Sequence, residues 1–458
     1  MAESGKRGAR SGTVLRIAGR VVACAVSLSV LTACGFAWYV HHDLTTGMTT
    51  SDAMRMVKQA AAQQAAQQGP GKPTAAPPRL DKSVNILLIG LDSRKDQNGN
   101  DLPKQFVQDE LQAGSSDIGG YNTNTLILMH IPANGGKVEA FSIPRDDYVD
   151  LVNVPGGHPL GKHKVKEAYD RAKYYAEEQL SKQYSGAELE RRGRDAGRAA
   201  TLLTVQKFLD VPIDHFAELN LKGFYDVAQA LGPITVCLKN DISDPIISRT
   251  ASTPGGGSGF TGHRGLNQLN ASMALAFVRQ RHNLPDGDFD RTHRQQAFLA
   301  SVTTKLAQEG VFGDLGRMQG LLDAVKQDLV IDSDWDVLDF AQQASSLTGG
   351  DVEFNTLPME GYETLASDGD VNLVDVAKIQ AMVRQSIDGV DPGAAAPATP
   401  TAPAPSTTGT PTGGGDSPAA PTPTPSSAPT PGSAPTPGSA PTDSYAGPAV
   451  EGGVPCVN

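Results

Sequence analysis

The sequence predicts an α/β domain, a three-layer sandwich built on a mixed central sheet, with an N-terminal transmembrane helix before it and a disordered tail behind it. Three observations carry that expectation. The short apolar runs Val84–Gly90 and Leu126–Ile131 are continuous rather than alternating, as strands buried on both faces are. Amphipathic helical patterns alternate with strand-like runs through the middle of the chain, which argues for helices layered on a sheet. Beyond about Asp391 the chain is almost entirely Pro, Ala, Thr, Ser and Gly, a composition that buries no core.

Taken in order, Lys6, Arg7, Arg10, Arg16 and Arg20 precede Val21–Val40, twenty residues without a charge. A helix of that length covers about 30 Å, the hydrocarbon thickness of a bilayer. The basic flank would keep residues 1–20 in the cytoplasm and place everything from His41 outside. The rival is a cleaved leader, in one specific form: Leu31-Thr32-Ala33-Cys34 has the pattern of a bacterial lipoprotein site, with Cys34 as the anchor. Phe36, Trp38 and Tyr39 at the outer edge favour the spanning helix. Residues 41–81, Ala/Gln-rich and then Pro/Gly-rich, read as a weakly helical linker that lifts the body off the membrane.

The body is expected over 82–389. After the two apolar runs, an Ala-Asn-Gly-Gly turn leads into a third strand at Lys137–Ser142. Glu167–Leu209 reads as one long helical region. The charges of its Glu188–Asp195 segment are taken as a solvated face, and Leu202, Val205, Phe208 and Leu209 as the buried stripe. Phe224, Val227, Ala228 and Leu231 form a further stripe that Gly232-Pro233 stops, ahead of a strand at Ile234–Leu238. Asn270 is placed to cap a helix running through Val278, and Asp290 to cap the next. Helices near Met318–Gln327 and Asp336–Ser346, a strand at Val352–Leu357 and a closing helix near Val374–Ile387 complete the body. The tail, 390–458, repeats Ala-Pro-Thr-Pro-Gly-Ser at Ala428–Ser433 and Ala434–Ser439 and reads as an extended spacer. Outside the apolar span the only cysteines are Cys237 and Cys456, which either pair or remain free thiols. No Cys/His cluster has zinc spacing.

A net charge of −11 argues against nucleic acid as a partner. Against that background Arg279, Arg281, Arg291 and Arg294 fall within sixteen positions, interleaved with Asp286, Asp288 and Asp290. A guanidinium is a planar fork of donors that matches phosphate oxygens, so clustered Arg suggests a held oxyanion; a solvated loop of surface ion pairs is the bland alternative. Arg291 and Gln295, four apart, share a helix face. Two further strand-end loops carry charge, Leu91-Asp92-Ser93-Arg94 and Pro144-Arg145-Asp146-Asp147. Loops at the carboxyl ends of strands converge in open α/β sheets, so Arg94, Arg145, Arg279, Arg281 and Arg291 are predicted to meet. Asp146 and Asp147 are read as orienting Arg145, His282 and His293 as surface residues, and His130 as a packed core histidine.

Asn85–Arg94 (Asn-Ile-Leu-Leu-Ile-Gly-Leu-Asp-Ser-Arg), Ser142–Asp146 (Ser-Ile-Pro-Arg-Asp), and Arg279-x-Arg281 followed by Asp288, Asp290-Arg291 and Arg294-Gln295 resemble the LytR-CpsA-Psr family of bacterial cell-envelope proteins, over roughly Lys82–Gly389. The resemblance implies an extracytoplasmic phosphotransferase that moves a glycopolymer such as teichoic acid from a polyprenyl diphosphate carrier onto peptidoglycan, leaving a phosphodiester. It implies Arg145, Arg279, Arg281, Arg291 and Gln295 as diphosphate contacts, beside Arg94 of the first loop. Arg145, Arg279, Arg281, Asp288 and Arg291 would carry the catalysis. Asp92 and Asn124 stand at its metal-ligand positions, for magnesium or manganese. Two departures matter. Asn122-Thr123-Asn124-Thr125 stands where the family usually has Arg-Ser-Asp-Thr, and an uncharged amide oxygen predicts weaker metal affinity. Lys166 stands where Asn is usual. The insert Lys95–Gly120 is either a lid or a surface loop. A non-catalytic scaffold that binds prenyl diphosphate or wall polymer, and a lipid diphosphatase, are the alternatives. Transcriptional regulation fits poorly, because about twenty cytoplasmic residues leave no room for a helix-turn-helix.

Overall fold

A computed structural model describes residues 48–67, 83–111, 120–133, 136–247, 256–311, 328–335, 352–390 and 453–458, with Gly316, Arg317, Gly320, Leu321, Asp323, Lys326, Val450 and Glu451. The expected spanning helix with Cys34, the expected helices near Met318–Gln327 and Asp336–Ser346, and the repeats of the tail lie wholly or largely outside these residues. Among the described residues no helix is long and apolar enough to cross a membrane.

The central sheet has seven strands in the order β1 (Thr49–Ser51), β12 (Leu329–Asp332), β7 (His215–Asn220), β2 (Val84–Asp92), β3 (Asn122–Ile131), β4 (Val138–Ile143) and β13 (Val352–Thr356). It is mixed: β3 runs antiparallel to both β2 and β4, while β2 pairs with β7 and β4 with β13 in parallel. The continuous apolar run of β2 has its predicted cause. Leu87 and Ile89 join the main core on one face, and Ile86 joins a second cluster with Ile131 and Val138 on the other.

The main core lies between the sheet and four helices, α1 (Ala53–Gln67), α2 (Glu167–Leu180), α3 (Gly186–Leu209) and α7 (Val376–Val390). The helical region expected as one piece is broken at Ser181–Ser185 into α2 and α3, which pack closely. A Cβ on Gly197 would come within 2.8 Å of the Tyr169 carbonyl oxygen. The opposite face of the sheet meets α4 (Leu221–Leu231) and α6 (Asp288–Gln308), the latter through Gln296, which donates to Ser142 Oγ at 2.8 Å. These helices and α5 (Ala271–Arg279) enclose a further apolar cluster against β8 (Ile234–Leu238).

Three expectations are corrected. The segment assigned to the linker belongs to the domain in its first half: β1 pairs with β12, and Ala53, Met54, Val57 and Ala60 of α1 are buried in the main core. Helical spacing hid that stripe within an Ala/Gln-rich composition. The charges over 188–195 are not all solvated. Arg194 and Asp195 are buried, as is Arg198 one turn on. Arg198 donates to Glu218 of β7 at 2.8 and 2.9 Å and to Asp195 at 3.3 Å, while Arg194 donates to Glu190 at 2.7 Å. The tail, finally, returns to the fold at its end. β17 (Val454–Val457) runs parallel beside β8, and Cys456 forms a disulfide with its register partner Cys237.

Candidate active site

The site lies where the strand-end loops meet the facing ends of α5 and α6. Asn270 caps α5 as expected, its side chain accepting from Met273 N at 2.9 Å, and the helix delivers Arg279 at its last turn with Arg281 just beyond. Asp290 does not cap α6, which begins at Asp288 after Gly287. Its carboxylate instead accepts from Asp286 N at 2.9 Å and from the side chain of Asn458 at 3.2 Å, holding the preceding loop and the chain end. In β2 the pairing with β3 slips between Gly90 and Leu91, an irregularity that re-aims the strand end carrying Asp92.

Arg145 is the most constrained group in the site. Its Nε lies 3.2 Å from Asp146, its Nη1 donates to Asn124 Oδ1 at 3.1 Å, and its Nη2 lies 3.3 Å from Asp288 Oδ1. Three elements thus fix one guanidinium, which still has two N–H groups to offer. Asp288 also pairs with Arg291 at 2.5 Å, so it bridges two of the arginines while 35% of its side chain stays exposed. Lys166 Nζ approaches Asp146 at 2.6 Å and Lys164 Nζ at 3.8 Å. Arg279 donates from Nη1 to the Leu111 carbonyl at 3.1 Å.

The electrostatics show a cationic mouth short of counter-charge. Burial, then repulsion by Arg145 and Arg281 against the partial relief of Asp288, pulls Arg291 down to about 9. Arg281 is lowered by burial and by Arg145, and Arg279 by burial and by Arg94 and Arg281. All remain cations at neutral pH; burial is the first cause of the depression, and Asp92, Asp146 and Asp288 relieve it in part. Burial raises the pKa of Asp146, but Arg145, Lys166 and Lys164 outweigh it and hold that carboxylate below its usual range.

Arg94, Arg145, Arg279, Arg281 and Arg291 therefore meet, with Asp92, Asn124 and Asp288 among them. Gln295 borders the group, its amide donating to the Val278 carbonyl at 3.3 Å. Arg294 does not join. It is buried between Phe260 and Phe277 and donates to Gln280 at 2.6 Å and to the Asn458 carbonyl, and burial pulls it down to about 10. Asp147 is buried against Asn372, where burial raises its pKa well above the carboxylate range, so it braces the loop rather than lining the mouth. His130 is a core histidine bonded to Asn85 at 2.8 Å, and His282 is half exposed, 3.4 Å from Asp244. The described part of the insert is docked: Leu102, Phe106, Val107 and Leu111 bury against Leu275, and the buried Arg194 and Arg198 each donate to Gln97 at 3.2 Å. Sequence reasoning underrated Lys164 and Lys166; the first ends a short strand and the second lies in the turn that opens α2, so no periodicity in the sequence announces that both approach Asp146. It gave no hint of Asn458. Away from the mouth, His163, Glu167 and Asp368 come together, but Arg171 lies 2.8 Å from Glu167 and serves as their cation.

Comparison with known proteins adds the following. The LytR_cpsA_psr family model matches residues 45–387. A cell wall biosynthesis protein, LcpA, of Corynebacterium glutamicum is 33% identical over 315 residues, which cover 68% of this chain and 57% of that protein. A polyisoprenyl-teichoic acid–peptidoglycan teichoic acid transferase, TagU, of Bacillus licheniformis is 26% identical over 263 residues, covering 57% of this chain and 65% of that one. The chain thus spans less than two thirds of the length of either relative. Among solved structures, a protein from Streptococcus agalactiae matches with a TM-score of 0.48 at 22% identity, covering 67% of this chain and 88% of its own.

Proposed function

The chain belongs to the LytR_cpsA_psr family, and on that premise we propose that it is a phosphotransferase moving a glycopolymer from a polyprenyl diphosphate carrier onto peptidoglycan. The observation that carries this reading is the convergence of guanidiniums. Arg291 is buried, Arg145 and Arg279 are partly buried and Arg281 lies exposed at the rim. Arg145 and Arg281 repel Arg291, and Arg281 repels Arg279, where Asp92, Asp146 and Asp288 relieve the charge only in part, an imbalance that a bound polyanion would offset. The name of the TagU relative, which joins a polyisoprenyl-linked polymer to peptidoglycan, points to the same substrate class.

Phosphoryl transfer is catalysed chiefly by positioning and charge stabilisation, and the site is built for both. Arg145, locked by Asn124, Asp146 and Asp288, would hold the diphosphate in register, with Arg279, Arg281 and Arg291 spreading the charge that develops on its oxygens. A peptidoglycan hydroxyl attacks the glycan-linked phosphorus, and the bond to the bridging oxygen breaks. Prenyl monophosphate leaves and a phosphodiester remains. Asp288, partly exposed at the mouth, is placed to take the hydroxyl proton. For magnesium or manganese, Asp92 would be the carboxylate ligand and the ion would supply added neutralisation of phosphate charge. Asn124 fits that role poorly, since its oxygen is given to Arg145. The domain would act outside the cell, held by the apolar segment Val21–Val40 and followed by a wall-threading tail.

The test is to give the full chain, in detergent, a short lipid-linked glycan diphosphate and peptidoglycan oligomers, and to look by mass spectrometry for the glycan–phosphate–peptidoglycan product. Wild type should form it, and Arg145→Ala and Arg279→Ala should lose it. Tight lipid binding without product at any magnesium or manganese level would leave the scaffold reading instead.

A further inference from the structure

Asn124 stands between a carboxylate and a guanidinium. Its side-chain oxygen accepts from Arg145 Nη1 at 3.1 Å, and its amide donates to Asp92 Oδ2 at 2.6 Å. Only one orientation of the amide suits both neighbours. A guanidinium offers donors alone and a carboxylate acceptors alone, so the reversed amide would set N–H against N–H and oxygen against oxygen. The oxygen that a divalent cation would need is therefore already bound to a cation of the protein. One oxygen of Asp92 is covered by an N–H as well.

A second feature lies on the other side of Arg145. Lys166 Nζ sits 2.6 Å from Asp146 Oδ1 and Lys164 Nζ 3.8 Å from the same oxygen, while Asp146 Oδ2 faces Arg145 Nε at 3.2 Å. One carboxylate is shared among three cations, so it leaves positive charge over at the mouth. A neutral amide where a carboxylate would draw in a metal, and an ammonium beside the fixed guanidinium, act in the same direction. Both make the free site more positive without a metal.

Resting on the reading that the mouth takes a prenyl diphosphate, we infer that this chain neutralises the diphosphate with its own guanidinium and ammonium groups and binds it tightly without a divalent cation. Asn124 is a positioning residue that locks Arg145, and Lys166 supplies the added charge.

Farnesyl diphosphate is the probe. Its affinity for the full chain in detergent is measured by calorimetry in EDTA and in millimolar magnesium, and manganese binding to the lipid-free protein is followed by electron paramagnetic resonance. Wild type should bind the probe within about threefold in the two media. Lys166→Asn should lose about tenfold in EDTA, the scale of one unit charge in a partly buried site. Asn124→Asp sets a second carboxylate against Asp92, so it should bind manganese more tightly than wild type. It should also lose about tenfold for the probe in EDTA and recover in magnesium. Should Asn124→Asp not fold, Lys166→Asn decides alone. A wild type that loses tenfold or more in EDTA, or variants that match it in both media, would overturn the inference. Binding without metal but without product from lipid-linked glycan would sink the transferase and leave this inference standing; no binding in either medium would remove both.

Discussion

Replacing Arg198 by Met tests whether the charges of α3 are structural. Arg198 is 3% exposed and gives two bonds to Glu218, which is wholly buried, one to Asp195 at 3.3 Å and one to Gln97 at 3.2 Å. Methionine fills much of the volume and supplies none of the donors, so a buried carboxylate is left facing apolar surface. Breaking a buried pair from one side costs about 3–5 kcal/mol, far more than the pair contributes over a hydrophobic substitute. At roughly 2–4 °C per kcal/mol for a large domain, thermal unfolding followed by circular dichroism should shift down by about 6–20 °C. Adding Glu218→Gln to Arg198→Met should recover part of the loss, since the stranded charge is gone. Arg192, on the same helix with 38% of its side chain exposed and paired with the partly exposed Glu188, is the control, and its Ala variant should change stability by less than about 1 kcal/mol. Equal, small shifts for Arg198→Met and Arg192→Ala would refute the buried network and restore a solvated face.

Other consequences follow from the same contacts. Cys237 and Cys456 close a loop of 219 residues, so Cys456→Ser should cost up to about 5 kcal/mol on the chain-entropy estimate, read as a lower melting temperature. A wild type whose melting ignores reductant would contradict this. Burial raises the pKa of Glu190, but Arg194 and the bonds from Lys173 and Tyr121 pull it down to about 2 from 4.5. A depressed carboxyl stabilises above its unfolded pKa, so stability should be lost as pH falls from about 4.5 toward 2, offset in part by Glu177, whose carboxyl pKa is raised by burial. Urea titrations should show that slope in wild type and a shallower one in Glu190→Gln; identical slopes would dismiss the assignment. Gly197→Ala should destabilise by about 1–3 kcal/mol, because its Cβ would press on the Tyr169 carbonyl, and an unchanged melting curve would show that α2 and α3 yield easily.

What the sequence revealed and what it hid divide along physical lines. Apolar runs and caps are local, so β2 and the Asn270 cap could be read directly. The meeting of Arg145 with Arg281 and Arg291 followed from the rule that strand-end loops converge, together with the family resemblance. The burial of Arg198 depends on Glu218, a strand residue twenty positions away, and a helical pattern cannot show a partner it does not contain. The tail end was hidden in part for the same reason. A Pro/Thr-rich spacer says nothing of the few residues behind it; the pair of cysteines left open a disulfide that would pin the tail to the domain, but the ladder of β17 with β8 and the contacts of Asn458 had no signal in the sequence. Asp290 looked like a cap because it precedes a helical stripe, yet α6 starts two residues earlier and its carboxylate serves the loop and Asn458.

The central claim is transfer to a sugar hydroxyl at an arginine-lined phosphate site, and the oxygen on the product phosphorus tests it most directly. The full chain in detergent would be given lipid-linked glycan diphosphate and peptidoglycan oligomers in water enriched in oxygen-18. Transfer predicts prenyl monophosphate and a glycan–peptidoglycan phosphodiester, neither carrying the label, because the attacking oxygen comes from the acceptor. Glycan phosphate labelled with one oxygen-18, formed at the same rate whether or not peptidoglycan is present, would make this protein a lipid diphosphatase and contradict the account.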